Sequence, residues 1–245
     1  MKKIYLAALT LAMTACVSND DLNPVDNYGY IDLNVSNDPI MQTRAATKVA
    51  DLSAWIVKAN NGSEDITLTT ASTKVKAGTY TVSAKSHESE AVALQAYEGW
   101  GAAYYMGTSA SVEVTPGSKK DVIVECGTAQ NARLKVQFSL IGNFTGYSLT
   151  AERNLVFDSS NFETALAYYA AEEEVDYTFN YTYNDTQKEI TGKITMMGRA
   201  TENIISIASN DNGTISVTVN YNDTFGEGNS QTLVFDAATG DKVKN

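Results

Sequence analysis

Short segments in which apolar and polar residues alternate recur along the first half of the chain, roughly ten residues apart. Segment 78–84 alternates cleanly, and segment 133–138 places Leu134, Val136 and Phe138 on one face. Successive side chains of a strand point to opposite faces of its sheet, so a period of two indicates a half-buried strand. About six or seven such strands, joined by turns, are typical of a β-sandwich.

A second series of predicted strands begins after segment 142–146, which contains two glycines. The dipeptide Asn212-Gly213 favours a hairpin turn, because both residues tolerate positive φ angles. The strands of this series are predicted at 147–150, 154–157, 177–183, 189–196, 204–208, 214–221 and 232–235.

One helix is predicted within the second series. Phe162, Leu166 and Tyr169 recur at helical spacing in segment 162–174, and the preceding Asp-Ser-Ser can cap its start. We therefore expect an all-β fold with two tandem β-sandwich domains, at 29–145 and 146–245. The short helix belongs to the second domain in this interpretation.

The chain begins with a basic start, an apolar run over residues 4–13 and small residues before Cys16. This order is typical of a secretory signal, and it resembles the signal of bacterial lipoproteins. The run is too short to span a bilayer, which takes about 20 apolar residues. The resemblance implies a signal peptide over 1–16, acylation of Cys16, and a polar tether over 17–28.

The acidic composition limits the partners of the chain. The formal net charge is −11, so phosphate backbones are repelled and nucleic-acid binding is not expected. Anionic headgroups would be repelled as well, so the acyl group on Cys16 is the expected membrane contact. Acidic residues after Cys16 also resemble an export signal of Bacteroidetes lipoproteins, with an ordinary solvated linker as the alternative. We expect a lipid-anchored, surface-exposed protein of the outer membrane.

The residues that catalysis and metal binding need are sparse. His87 is the only histidine, and Cys126 is the only cysteine besides Cys16, so the mature chain cannot form an internal disulfide. The sequence contains no G-x-S-x-G elbow, P-loop or zinc-ligand spacing. We therefore expect no enzymatic activity, no cofactor and no metal site.

Aromatic residues cluster between two predicted strands, where Trp100, Tyr104 and Tyr105 follow Tyr97 closely. Exposed aromatic side chains stack on sugar rings or anchor protein interfaces. A loop that folds back over the sandwich core would use the same residues for packing. Trp100, Tyr104 and Tyr105 are therefore candidate ligand contacts, with core packing as the alternative.

Residues 29–45 resemble the first strand of Bacteroidetes fimbrillins, the subunits of type V pili. The alternating Ile31, Leu33 and Val35 are followed by Arg44-Ala45, which looks like the processing site of that family. Segments 78–82, 104–107, 125–127 and 131–138 resemble a group of Bacteroidetes lipoproteins related to fimbrillins. The resemblance implies transthyretin-like, fimbrillin-like sandwiches.

In fimbrillins, a protease cuts after the arginine and releases the lipid together with the first strand. The opened groove then accepts a strand from another subunit, a form of β-augmentation. The resemblance implies cleavage between Arg44 and Ala45, with Ile31, Leu33 and Val35 on the exchangeable strand. The expected function is a structural or adhesive surface protein, either a pilus subunit or a pilus-accessory subunit. The alternative is a standalone surface lipoprotein that binds glycans through loop aromatics.

Overall fold

The computed structural model of the chain describes residues 27–36, 52–210, 212–222 and 230–243. These residues contain one short α-helix, α1 (Glu90–Leu94), and 3-10 helices at Leu52–Ala54, Tyr97–Gly99 and Glu152–Asn154. The rest of the regular structure is β: β1 (Tyr28–Ser36), β2 (Ile56–Asn60), β3 (Asp65–Thr67), β4 (Ser72–Lys76), β5 (Gly78–Lys85), β6 (Met106–Thr108), β7 (Val112–Val114), β8 (Lys119–Glu125), β9 (Ala132–Ser139), β10 (Phe144–Ala151), β11 (Leu155–Asp158), β12 (Ala167–Tyr169), β13 (Glu174–Tyr183), β14 (Thr186–Thr195), β15 (Glu202–Ser209), β16 (Thr214–Asn222) and β17 (Ser230–Asp236).

The first sandwich is built from β1 to β8. One sheet has the order β4-β1-β8, and the other has the order β3-β2-β5-β6 with β7 also paired to β5. Apolar side chains from both sheets form one buried cluster, which includes Tyr80, Val82 and Ala84 from the even-numbered face of β5. The predicted facing of this strand is therefore confirmed.

The second sandwich is built from β9 to β17. A sheet of order β11-β10-β13-β14 packs on a sheet of order β12-β9-β15-β16-β17. Its core is rich in aromatic rings, among them Phe179 and Tyr181, whose ring centroids lie 5.1 Å apart in a stacked arrangement. The all-β class with tandem sandwiches is thus confirmed, and the hairpin predicted at Gly213 joins β15 to β16.

The helix predicted over 162–174 is wrong. Residues 159–164 form turns, Ala167–Tyr169 is the edge strand β12, and Glu172 turns the chain with a φ of 67°. Phe162 and Tyr169 have helical spacing because each is packed against other parts of the second sandwich. The Phe162 ring lies edge-on to the Phe138 ring, with centroids 5.4 Å apart, and Tyr169 belongs to the buried core. The α-helix of the described residues lies in the first half of the chain instead.

Strand β9 belongs to the second sandwich by its pairing, although it precedes residue 145. It pairs with β12 and runs parallel to β15, and Leu134 and Val136 lie in the second core. We therefore propose the short segment 127–131, between β8 and β9, as the domain boundary. Within the described residues, no helix is long and apolar enough to cross a membrane.

Candidate functional site

The candidate site is β1 and the groove that it fills in the first sandwich. Ile31, Leu33 and Val35 point into the core and are at most 4% exposed. Alternation of these residues with polar ones explains the strand, because only a period of two puts all three on one face. Complete burial of an aliphatic side chain of this size contributes about 1.5–3 kcal/mol. The three residues therefore account for a substantial share of the first core.

Both edges of β1 are hydrogen-bonded to other strands. It runs antiparallel to β4, with Ile31 opposite Thr73, and parallel to β8 over seven residue pairs from Tyr30 to Ser36. Further backbone bonds join Tyr30 N to Ser118 O at 2.8 Å and Leu33 N to Ala71 O at 2.7 Å. Loss of β1 would therefore leave two unpaired strand edges facing one another, a geometry that suits an added strand.

The walls of the groove are apolar beneath these edges. Val75 of β4 and Val122 and Val124 of β8 belong to the same buried cluster as the inner face of β1, and each is at most 4% exposed. Without a strand between β4 and β8, this apolar surface would face water. A groove of this kind is stable only while a strand occupies it.

The outer face of β1 carries a charge pair. Lys119 Nζ lies 2.6 Å from Asp32 Oδ2, and Ser72 Oγ donates a 2.6 Å hydrogen bond to Asp32 Oδ1. These two hydrogen bonds hold the pKa of the Asp32 carboxyl below its usual value, and the pKa of Lys119 is raised. Asp32 thus joins β1 to both flanking strands through its side chain.

Two further residues of β1 differ in how well they fit their surroundings: Gly29 is buried, and Asn34 is half-buried on the same face as Asp32. A Cβ on Gly29 would lie 2.6 Å from Val114 Cγ1, 2.7 Å from Thr115 O and 2.8 Å from Ser118 O. Asn34 Oδ1 is buried and accepts no hydrogen bond from any part of the chain that the structure describes. An unsatisfied buried acceptor is destabilising by about 1–3 kcal/mol. The strand therefore fits closely at Gly29 and leaves one buried acceptor unsatisfied on its outer face, at Asn34.

The predicted processing and lipidation residues lie outside the described residues. Cys16, Arg44 and Ala45 fall in segments for which the structure gives no account. The described chain leaves the groove at Ser36, the last residue of β1, and resumes at Leu52. Cleavage at Arg44 and acylation of Cys16 therefore stay predictions.

The three candidate ligand aromatics lie in different surroundings. Trp100 packs edge-on against Phe157 of the second core, with ring centroids 5.0 Å apart. Tyr104 is only 8% exposed, and Tyr105 packs on the first core near Trp55 at 6.5 Å. The structure therefore does not bring the three side chains together on one exposed face.

The exposed aromatic side chain of this segment is Tyr97, which the residue pattern did not single out as a contact. It is 75% exposed, and both Tyr97 and Glu98 have positive φ angles, of 51° and 58°. Tyr97 and Trp100 line a surface cavity of about 560 Å³ together with Tyr168 of the second sandwich. Non-glycine residues in the left-handed region have strained backbones, and such residues cluster at functional sites. The sequence does not reveal this strain, which is visible only in the backbone angles.

Arg153 holds this aromatic segment against the second sandwich. Its Nη1 donates to Leu94 O at 2.7 Å, its Nη2 donates to Tyr168 O at 2.5 Å, and its guanidinium lies 4.2 Å from the Tyr169 ring centroid. The cavity is therefore formed by residues of both halves of the chain, with Arg153 as the link.

The described residues contain no group of three or more His, Cys, Asp or Glu side chains that could hold a metal ion. His87 Nδ1 lies 3.0 Å from Ser86 Oγ, its neighbour in sequence. Cys126 is buried in the first core, and burial raises the pKa of its thiol to about 11. A thiol with such a pKa is a poor nucleophile at neutral pH.

A family model described as "Domain of unknown function (DUF4493)" matches residues 27–236. The chain belongs to this family. The DUF4493 match begins one residue before β1, so the family definition includes β1 together with both sandwiches. No curated protein matches the sequence.

Solved structures of Bacteroidetes proteins resemble this DUF4493 chain at low identity. A fimbrial assembly protein from Parabacteroides distasonis has 7% identity and a TM-score of 0.45, covering 83% of this chain and 98% of its own. A proposed cell adhesion protein from Bacteroides ovatus has 10% identity and a TM-score of 0.39, covering 80% and 95%. Another from Bacteroides fragilis has 12% identity and a TM-score of 0.35, covering 77% and 96%.

Proposed function

We propose that this chain is a cell-surface structural or adhesive protein of fimbrillin type, which acts by exchange of its first strand. The observation that carries the proposal is the central position of β1, between β4 and β8 in the first sandwich. The resemblance of residues 29–45 to the first strand of fimbrillins points to the same function.

The two sandwiches differ in how strands β1 and β9 are connected to the rest of the chain. Strand β9 has the corresponding position in the second sandwich, between an antiparallel strand, β12, and a parallel strand, β15. However, β9 continues directly into paired strands on its C-terminal side, whereas 15 residues that include Arg44 separate β1 from Leu52. A cut in that segment would leave β1 held in its sandwich by non-covalent contacts alone, so that another strand could displace it. Strand β9 has no such long connection after it.

The proposed anchor fits this scheme. Acylation at Cys16 would hold the chain at the outer membrane through the segment that precedes β1. Cleavage after Arg44 would then break the covalent connection between the two sandwiches and the segment that carries the lipid and β1, and displacement of β1 would release both. The partner is a strand of another surface subunit, and its binding would restore the hydrogen bonds on both edges of the groove.

Limited digestion of the folded full-length chain with an arginine-specific protease tests the proposal. Arg199 lies exposed in a turn between β14 and β15, so the test uses an Arg199→Lys chain to suppress a competing cut. The expected result is one early cut after Arg44, detected by intact mass. The matched control, Arg44→Lys in the same background, should stay uncut over the same period.

After the cut, the fragment that contains β1 should be replaceable by a synthetic peptide with the sequence of residues 28–36. A chain that resists cleavage at Arg44, while loops inside the sandwiches are cut, would contradict the proposal. So would a cleaved chain from which β1 cannot be displaced by excess peptide under conditions that keep the second sandwich folded.

A second candidate function is glycan binding at the cavity lined by Tyr97 and Trp100, which the strained, 75% exposed Tyr97 favours. Affinity electrophoresis in gels containing starch, xylan or mucin tests it. Tyr97→Ala should abolish any retardation, and Tyr30→Ala, on the outer face of β1, is the matched control. Unchanged mobility of the unmodified chain in all three gels would contradict glycan binding.

A further inference from the structure

The surroundings of β1 define which strands can occupy its groove. We propose that the groove selects a strand of a different protein with the pattern Gly-x-Φ-Asp-Φ-x-Φ, where Φ is a large apolar residue, aligned parallel to β8. This inference rests on the proposed function, because it names the partner of the same groove. Its positions correspond to Gly29, Ile31, Asp32, Leu33 and Val35.

The glycine position follows from distances to backbone atoms. A Cβ on Gly29 would approach the carbonyl oxygens of Thr115 and Ser118 within 2.8 Å. Side-chain atoms such as Val114 Cγ1 can move, but these two carbonyls lie in the turn that ends at β8, and Ser118 O accepts from Tyr30 N. A strand with any larger residue here must displace backbone, so the site excludes such strands.

The acidic position sets register and direction. Asp32 contacts Ser72 of β4 on one side and Lys119 of β8 on the other, so a carboxylate between the first two apolar residues pairs with both. A strand that is shifted by two residues, or that runs in the opposite direction, brings another residue within reach of the Lys119 ammonium group. The charge pair therefore distinguishes alignments that the apolar positions alone would accept.

The position of Asn34 explains how a resident strand can be displaced. Its buried and unsatisfied Oδ1 makes β1 a weaker occupant than a strand with an apolar residue at that point. A partner strand without this defect would bind more tightly than β1 and replace it. Before exchange, β1 therefore occupies the groove, but it binds less tightly than a partner strand with an apolar residue at the position of Asn34.

The sequence of the chain argues against a second copy as the partner. Outside β1 itself, which cleavage after Arg44 and strand displacement remove from each copy, no segment of the chain has the full pattern; the related segments 78–84 and 213–219 carry Thr or Ser in place of Asp. Both of those segments lie in strands that are already paired on both sides. Residues 237–243 lack the pattern and fold back on β17, where Val243 N donates to Val234 O at 2.8 Å.

A peptide competition experiment tests the selection rule. The acceptor is the full-length Arg199→Lys chain cleaved after Arg44, incubated with a fluorescein-labelled peptide of residues 28–36. Unlabelled competitors carry single changes. Asn34→Val should compete about tenfold more strongly than the unchanged peptide, and Asn34→Ala should compete at least as well as it does. If the Asn34 side chain instead made favourable contacts in the groove, both variant peptides would compete more weakly than the unchanged peptide.

The other competitors test the remaining positions. Gly29→Ala should compete at least about tenfold more weakly, and Asp32→Asn about threefold more weakly. Tyr30→Thr, on the exposed side of the strand, is the neutral control, and a peptide of residues 234–243 represents the tail of a second copy. Competition by that tail peptide, or oligomers of the cleaved chain alone, would overturn the assignment to a different protein.

The experiment separates failure of this inference from failure of the proposed function. If the labelled peptide binds and all variants compete within twofold of one another, strand exchange stands and the selection rule is overturned. If the labelled peptide does not bind to the cleaved chain at all, the proposed function fails and the selection rule fails with it.

Discussion

The replacement of Ile31 by alanine measures how much β1 contributes to the first sandwich. Ile31 is completely buried in the core of the first sandwich. Its strand, β1, is paired with β4 on one edge and with β8 on the other. Neighbouring side chains have little freedom to fill the space, because both sheets of a sandwich fix them in place. Truncation of a buried isoleucine to alanine typically destabilises by about 2–5 kcal/mol.

We expect a loss of about 3 kcal/mol in the free energy of unfolding of the first sandwich for Ile31→Ala. A sandwich of this size has an m-value of about 2 kcal/mol/M in urea, so the midpoint should fall by about 1.5 M. Tyr30→Thr is the matched control on the opposite face of the same strand. It should change stability by at most about 0.5 kcal/mol.

Tryptophan fluorescence can report the first sandwich separately. Trp55 packs against the first core and Trp100 packs against the second, so a Trp100→Phe background leaves a probe of the first sandwich. Urea unfolding is followed in this background with and without Ile31→Ala. A loss below about 1 kcal/mol, or equal losses for Ile31→Ala and Tyr30→Thr, would refute the conclusion that β1 is part of the core.

Three further predictions concern buried groups. The Cys126 thiol, whose pKa is about 11, should react with a thiol reagent at pH 8 only after unfolding; rapid labelling of the folded chain would contradict its burial. Burial raises the pKa of Tyr181 to about 12, so the folded state retains its proton longer than the unfolded state and loses stability as the pH rises from 10 to 12. Tyr181→Phe should flatten this decline, as measured by denaturation at each pH. Gly107→Ala should destabilise the protein by more than about 2 kcal/mol, because the new Cβ would lie 2.1 Å from Glu125 O. Gly78→Ala is the control, since its new Cβ would have no contact shorter than 3.8 Å. Equal thermal midpoints for the two variants would contradict this prediction.

The strands could be predicted because the apolar residues of each strand are those that are buried. In β5 and β9, one residue in two faces a core, and the apolar pattern in the sequence has the same period. The helix predicted at 162–174 fails for the converse reason. Phe162 and Tyr169 are buried by contacts with distant strands, and a helical spacing that arises from such contacts cannot be told apart from a true amphipathic helix.

The helix that does form had a local signal that periodicity did not reveal. Ser89 caps α1 by accepting a hydrogen bond from Val92 N at 3.3 Å, but the helix is only five residues long and buries only Ala93. A segment this short has no apolar face to detect. Capping residues, rather than hydrophobic spacing, are the only sequence signal for such helices.

The partners of each strand were beyond the reach of the sequence. The parallel pairs β1–β8 and β9–β15 join residues about 70 to 90 positions apart, and alternation within a strand says nothing about which strand lies beside it. The inner face of β1, formed by Ile31, Leu33 and Val35, could be predicted from the alternation of apolar and polar residues. The close fit at Gly29 and the unsatisfied Asn34 depend on those partners and appeared only in the structure.

Isotopic replacement of β1 tests the central claim most directly. The full-length Arg199→Lys chain is cleaved after Arg44 and incubated with excess ¹⁵N-labelled peptide of residues 28–36, and native mass spectrometry follows the complex. Our account predicts that the complex loses the mass of the original fragment and gains that of the labelled peptide, one for one. Retention of the original fragment after cleavage, with no uptake of label while both sandwiches stay folded, would contradict the claim that β1 is an exchangeable strand.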